Sequence, residues 1–144
     1  MEFPVATTVF SSVQTIDDLS SGESYYLSEV RRIKALALTL REQPSMIAVV
    51  DEPFRGTNVH DAAEATLTVV SRLANHASAL VFVASHIVEI TPALAADPRV
   101  RLLHFVADLS AGRPTFDYRL HDGVSEQRLG MTLLRQEQVL ELLQ

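Results

Sequence analysis

The chain has 144 residues, of which 47% are hydrophobic, with a mean hydropathy of +0.14; this supplies a real core and argues against disorder. A net charge of −6 and a pI of about 5.3 make it a poor nucleic-acid binder by itself, because neutralising phosphates needs clustered Lys and Arg. With no cysteine there are no disulfides and no thiolate metal sites.

The length suits one domain, 1–144. The N-terminal stretch "MEFPVATTVFSS" has neither a basic region nor a long apolar run, so no secretion signal is read and the expected location is cytoplasmic. The longest apolar runs, "LVFVA" and "MIAVV", are far below the roughly 20 residues of a membrane span, so no membrane segment is expected.

In chain order, "ATTVFSSV" is β-branched and predicts a strand. After the polar break "DDLSSG", Leu27, Val30, Ile33, Ala37 and Leu40 recur every three or four positions and predict one apolar face of a helix from Glu23 to Gln43. Ser20 and Glu23 have the spacing of a capping box, and Pro44-Ser45 ends the helix. "MIAVVD" lacks alternation and predicts a strand buried on both faces of a parallel sheet. A helix over Val59–His76 follows, with Asn58 as its cap, and "ALVFVAS" is a further buried strand. Strand, helix and strand with short links define a right-handed βαβ crossover. A short helix starts near Pro92. "RVRLLHFVADL" and "PTFDYRL" read as two strands joined by the turn "SAGR", and a last helix starts near Ser125, carrying Leu129, Leu133, Leu134, Leu140 and Leu143. The class is α/β.

Two stretches carry chemistry. "MIAVVDEPFRGTN" runs five apolar residues into Asp51-Glu52, and "LVFVASH" ends in His86. In an open α/β sheet, ligands bind beyond the carboxyl ends of the strands. Consecutive carboxylates on an extended segment point apart, so one is free to hold Mg²⁺ and the other to orient a water. An acidic pair after a strand also serves as a turn with a helix cap, and both readings stand on the residues alone. In "DDLSSGESYYLSE", Ser21, Gly22 and Ser24 lie at the mouth of the long helix, where unpaired N–H groups suit phosphate; a plain N-cap explains the same residues. The single lysine, Lys34, and the five glycines exclude any G-x-x-x-x-G-K-[ST] stretch, so the sequence contains no P-loop.

Together these segments resemble the C-terminal ATPase domain of the MutS family of DNA mismatch-repair proteins, a branch of the ABC-type ATPases. "DDLSSGESYYLSE" resembles the family's signature segment, "IAVVDEPFRGTN" its Walker B strand with the D-loop, and "VFVASH" the strand ending in the switch histidine. "FRGTN" and "FDYRL-x-x-GV" are closer to the shorter MutS-like paralogues. The resemblance runs from about Val9 to Leu143, with the motifs in the family's order.

The resemblance implies a P-loop NTPase-like layered sheet with helices, truncated here at its N-terminal side, and ATP and Mg²⁺ as cofactors. Asp51 would help hold Mg²⁺ through water, Glu52 would orient the attacking water, and His86 would lie near the γ-phosphate. Ser21, Gly22 and Ser24 would face a nucleotide on the opposite subunit. Arg55, Gly56, Thr57 and Asn58 would form the D-loop at the interface with a second MutS-like subunit. DNA would be contacted only through regions absent from this chain. Three departures from the pattern stand out: Pro53 replaces an aliphatic residue, Tyr25-Tyr26 replaces Thr-Phe, and Ser85 replaces threonine.

Three functions follow. The chain is part of a MutS-like ATPase, inactive until a P-loop segment completes it. Alternatively it is a non-catalytic module that docks on a P-loop-containing partner. A third reading is a metal hydrolase built on Asp51, Glu52, His60, Asp61 and His86. The presence of both Glu52 and His86 favours the first, since a docking module has little use for them.

Overall fold

Three runs of β-branched and aliphatic residues form a parallel sheet in a computed structural model that describes residues 8–13, 24–109, 114–127 and 129–143. The described residues divide into two compact units, one within Met1–Val100 and one within Arg101–Gln144.

In the first unit, β1 (Thr8–Ser12), β2 (Met46–Asp51) and β3 (Leu80–Ala84) lie in the order β1-β2-β3, all parallel. The crossovers are α1 (Tyr25–Glu42) and α2 (Val59–Leu73). Helix α1 is rich in Leu, Ala, Arg and Glu, which favour helix, and it stops just before Pro44. Register puts Phe10, Ala48 and Val81 side by side on one face of the sheet. The core forms there: Leu36 and Leu40 of α1 bury against Met46, Ala48 and Val50, with Phe10, Ile33, Leu73, Val81 and Val83 packed around them.

Three expectations change. The capping-box pair Ser20 and Glu23 lies outside the described residues; α1 starts at Tyr25 and its N-cap is Ser24, whose side chain accepts from the Leu27 N–H. The buried stripe of α1 is Glu29, Leu36 and Leu40, flanked by Ile33, whereas Leu27 and Val30 are exposed. Apolar residues line most of this helix, so periodicity admits two stripes, and contact with β2 selects one. Finally, β2 is buried on one face and half-covered on the other, and β3 alternates between exposed and half-buried positions. Both strands were expected to be buried on both faces. Instead the face carrying Val9, Leu80 and Phe82 is open, because α1 and the end of α2 pack on the other side.

Helix α2 is capped by Asn58 as expected, Oδ1 accepting from the Asp61 N–H at 2.9 Å. A 3-10 turn at Val88–Ile90 leads into the short helix α3 (Thr91–Ala95), with Pro92 in its first turn. Arg99 then grips Asp97 through Nε (2.8 Å) and Nη2 (2.6 Å) and donates to Asn75 after α2.

Among its described residues the second unit holds four two-residue strands where two longer ones were expected. β4 (Leu103–His104) pairs antiparallel with β7 (His121–Asp122), and β5 (Ala107–Asp108) with β6 (Thr115–Phe116). The break has a local cause: Tyr118 is left-handed (φ 56°), and Asp117 Oδ1 accepts from the Arg119 N–H at 2.9 Å, which bends the chain out of the ladder. The predicted turn "SAGR" lies outside the described residues. Gln127 pairs with both backbone groups of Ala107, at 2.8 and 2.7 Å. The closing helix is two pieces, α4 (Leu129–Gln136) and α5 (Val139–Leu142), because Gln138 turns left-handed (φ 56°). Among the described residues, no helix is long and apolar enough to cross a membrane.

Candidate active site

The site starts from parallel register. Asp51, the last residue of β2, stands opposite Ala84, the last of β3. The Glu52 N–H donates to the Ala84 carbonyl at 3.0 Å, carrying the ladder one residue further. This brings the segments that follow the two strands together. Ser85 Oγ accepts from the Ile87 N–H at 3.2 Å and folds a tight turn around His86. The Glu52 carboxylate meets His86 there, with Oε2 and Nδ1 2.5 Å apart. The Glu52 side chain is 26% exposed and that of His86 71%, so the pair is open to an incoming group from the imidazole side. With Glu52 ionised, Nδ1–H donates in this contact, since a carboxylate only accepts. In the neutral ring that leaves Nε2 as an acceptor, and in the charged ring as a second donor.

Asp51 closes β2, whereas Glu52 lies just past the strand in left-handed backbone (φ 45°), so the two carboxylates are not neighbours on one extended segment as expected. The residues Ser12, Glu29, Arg32, Ile33, Val50, Asp51 and Pro53 line one small recess at the strand ends. A half-buried carboxylate at a strand end suits Mg²⁺, which takes one or two carboxylates and keeps several waters. Among the described residues, no three His, Asp or Glu side chains converge to hold a metal ion. The five-residue metal cluster is therefore not assembled, and Asp61 is instead engaged by Asn58, Nδ2 donating to Oδ2 at 2.7 Å.

The turn "DEPFRGTN" is held in an uncommon shape. Glu52 (φ 45°) and Phe54 (φ 64°) both adopt left-handed backbone, which is rare for residues other than glycine. Three neighbours hold it. Thr66, fully buried in α2, donates its hydroxyl to the Pro53 carbonyl at 3.5 Å. The Phe54 ring lies 6.1 Å from that of Tyr26. Glu29 of α1 accepts from the Arg55 N–H (Oε1, 3.2 Å) and the Gly56 N–H (Oε2, 2.9 Å). Gly56 approaches α1 so closely that a Cβ there would lie 2.8 Å from the Tyr26 backbone nitrogen and 2.4 Å from Tyr25 Cδ1.

Of the residues expected at the site, Glu52 and His86 come together, and Asp51 is adjacent. Arg55 and Gly56 lie against the first turns of α1, which Ser24 caps. The capping bond uses a lone pair of Ser24 Oγ, so its hydroxyl proton is still able to donate. Thr57 is half-buried, and the Asn58 side chain caps α2. Ser21 and Gly22 lie outside the described residues. Thr66 was not anticipated, and Glu29, the last residue of the segment "DDLSSGESYYLSE", had been given no role. The signal for Glu29 was its place four residues before Ile33 and seven before Leu36, a lone carboxylate on the stripe that buries.

A parallel α/β unit with an acid–histidine pair at the carboxyl ends of adjacent strands is the class that these features define. The chain belongs to the MutS domain V family, whose model matches residues 1–141. It is 30% identical over 128 residues to the DNA mismatch repair protein MutS of Natronomonas pharaonis, covering 89% of this chain and 15% of that protein. It is 26% identical over 134 residues to the protein of the same name in Staphylococcus haemolyticus (93% and 15%). For that of Geobacillus kaustophilus the identity is 27% over 128 residues (89% and 14%). The chain thus spans about 15% of the length of these curated relatives.

Proposed function

We propose that this chain supplies the hydrolytic and signature segments of a MutS-like ATPase domain, serving DNA mismatch repair or related DNA processing and completed by a P-loop from outside this sequence. The observation that carries the reading is the Glu52–His86 contact at the ends of two adjacent parallel strands, with Asp51 beside it. Glu52 would orient the attacking water, and His86 Nδ1–H would hold the carboxylate in place while its far edge faces the γ-phosphate. Asp51 would hold Mg²⁺ through water. When bound, that ion would neutralise charge on the phosphates. Ser24, at the N-terminus of an 18-residue helix, would offer its hydroxyl to a nucleotide on a second MutS-like subunit. The open sheet face bearing Val9, Leu80 and Phe82 supports the reading too, as apolar surface that further parts of such a domain would cover.

The test is ATP turnover by the chain alone and after mixing with a P-loop-bearing MutS-like segment. Negligible turnover alone and measurable turnover in the mixture are expected. Glu52→Gln should then lower kcat by roughly 10²–10⁴-fold, the usual contribution of a positioned base. Ordinary turnover by the isolated chain would overturn the reading. Mg-ATP-dependent association without turnover would favour the docking module instead.

A further inference from the structure

We infer that Glu29 is the positioning residue that locks the "RGTN" turn to the first turns of α1, so that Ser24 and the Glu52–His86 pair move as one body. The inference rests on the function proposed above for what that coupling serves, and on geometry for the lock itself.

A carboxylate at 6% exposure is costly to bury unless each oxygen is satisfied. Here the two oxygens take one backbone N–H each, from the consecutive residues Arg55 and Gly56. Two successive N–H groups pointing to one side form a small anion-binding concavity, and the left-handed Phe54 just before them helps shape it. The anion in this concavity is internal, carried by α1. A bond pair of this kind fixes the orientation of the Phe54–Arg55 and Arg55–Gly56 peptides, and charge assistance makes it strong.

The grip is reinforced on both sides. Phe54 packs on Tyr26, and Gly56 has no room for a side chain against Tyr25 and Tyr26. Glu29 lies five residues after Ser24, on the same helix. Gly56 lies four residues after Glu52, joined to it through a turn whose middle is held by Thr66. A displacement of Ser24 by a nucleotide on the opposite subunit therefore passes through Glu29 to the turn, and from the turn to Glu52. Removing the carboxylate would uncouple the two without removing either.

Glu29→Gln tests this, because glutamine keeps the size of the side chain but offers one oxygen and an NH₂ that faces the second N–H. In the whole chain, amide exchange at Arg55 and Gly56 measured by NMR should rise by about ten-fold or more, while Ala48 and Val50 in β2 keep their protection. Unchanged exchange at both turn amides would overturn the lock. A uniform rise through β2 would also overturn it, by showing a general structural role. Glu29→Asp, which keeps the charge but shortens the reach, should loosen the Gly56 amide in the same way. In the mixture with a P-loop-bearing segment, Glu29→Gln should lower kcat by about 10–100-fold, with KM changed less than about two-fold, the pattern of a misplaced catalytic group. Wild-type kcat for Glu29→Gln in a mixture that Glu52→Gln silences would refute the coupling. Wild-type turnover for Glu52→Gln would refute the hydrolytic reading, leaving the exchange measurement to judge the lock.

Discussion

At the scale of single residues, hydrogen-bond geometry decides which side chains are free for chemistry. The His86 ring is mostly exposed yet held at Nδ1 by Glu52, so His86→Ala should loosen Glu52 with little loss of fold. Its expected effect on stability is within about 0.5 kcal/mol, as for surface substitutions generally, and chemical denaturation checks it. Asp97 gives a pH prediction. Side-chain bonds from Arg99, then its backbone N–H, lower the Asp97 carboxyl from 3.8 to about 2. A lowered carboxylate stabilises the fold above its unfolded pKa and loses that contribution as pH falls through the folded one. The stabilisation should therefore be full above about pH 4 and fade towards pH 2. Denaturation of wild type and Asp97→Asn across that window should converge at the acid end.

At the scale of elements, α1 does two jobs on one stripe. Its C-terminal half buries Leu36 and Leu40 on β2, and Leu36→Ala should cost about 2–5 kcal/mol, read from a shift in the denaturation midpoint. Its N-terminal half spends the same stripe on Glu29, which grips the turn after β2. The turn has no slack on that side. Gly56→Ala should cost about 1–3 kcal/mol, since the new methyl meets the Tyr26 backbone, whose position the helix sets. At the other end of the turn Asn58 caps α2, and Asn58→Ala should cost about 1 kcal/mol by the same measurement.

At the scale of the whole chain, the sequence by itself determined the β-α-β-α-β order of elements with a parallel βαβ crossover, the cap at Asn58 and the strand-end places of Asp51, Glu52 and His86, while the parallel pairing of β1 with β2 came from the structure. It could do so because strand and helix periods, turn residues and strand ends are local, and because "DEPFRGTN" and "VFVASH" are contiguous motifs. The tertiary structure decided which stripe of α1 is buried, since apolar residues on two sides of a helix are equivalent until a sheet selects one. It decided that β2 and β3 are covered on a single face, because covering depends on what packs from elsewhere. It also broke the second unit's strands at Tyr118 and its last helix at Gln138, where left-handed backbone arises at residues whose type does not announce it. Above all it brought Glu29 to Arg55 and Gly56 across 26 and 27 positions of chain. No local pattern encodes such a distance; only the docking of α1 beside the end of β2 closes it.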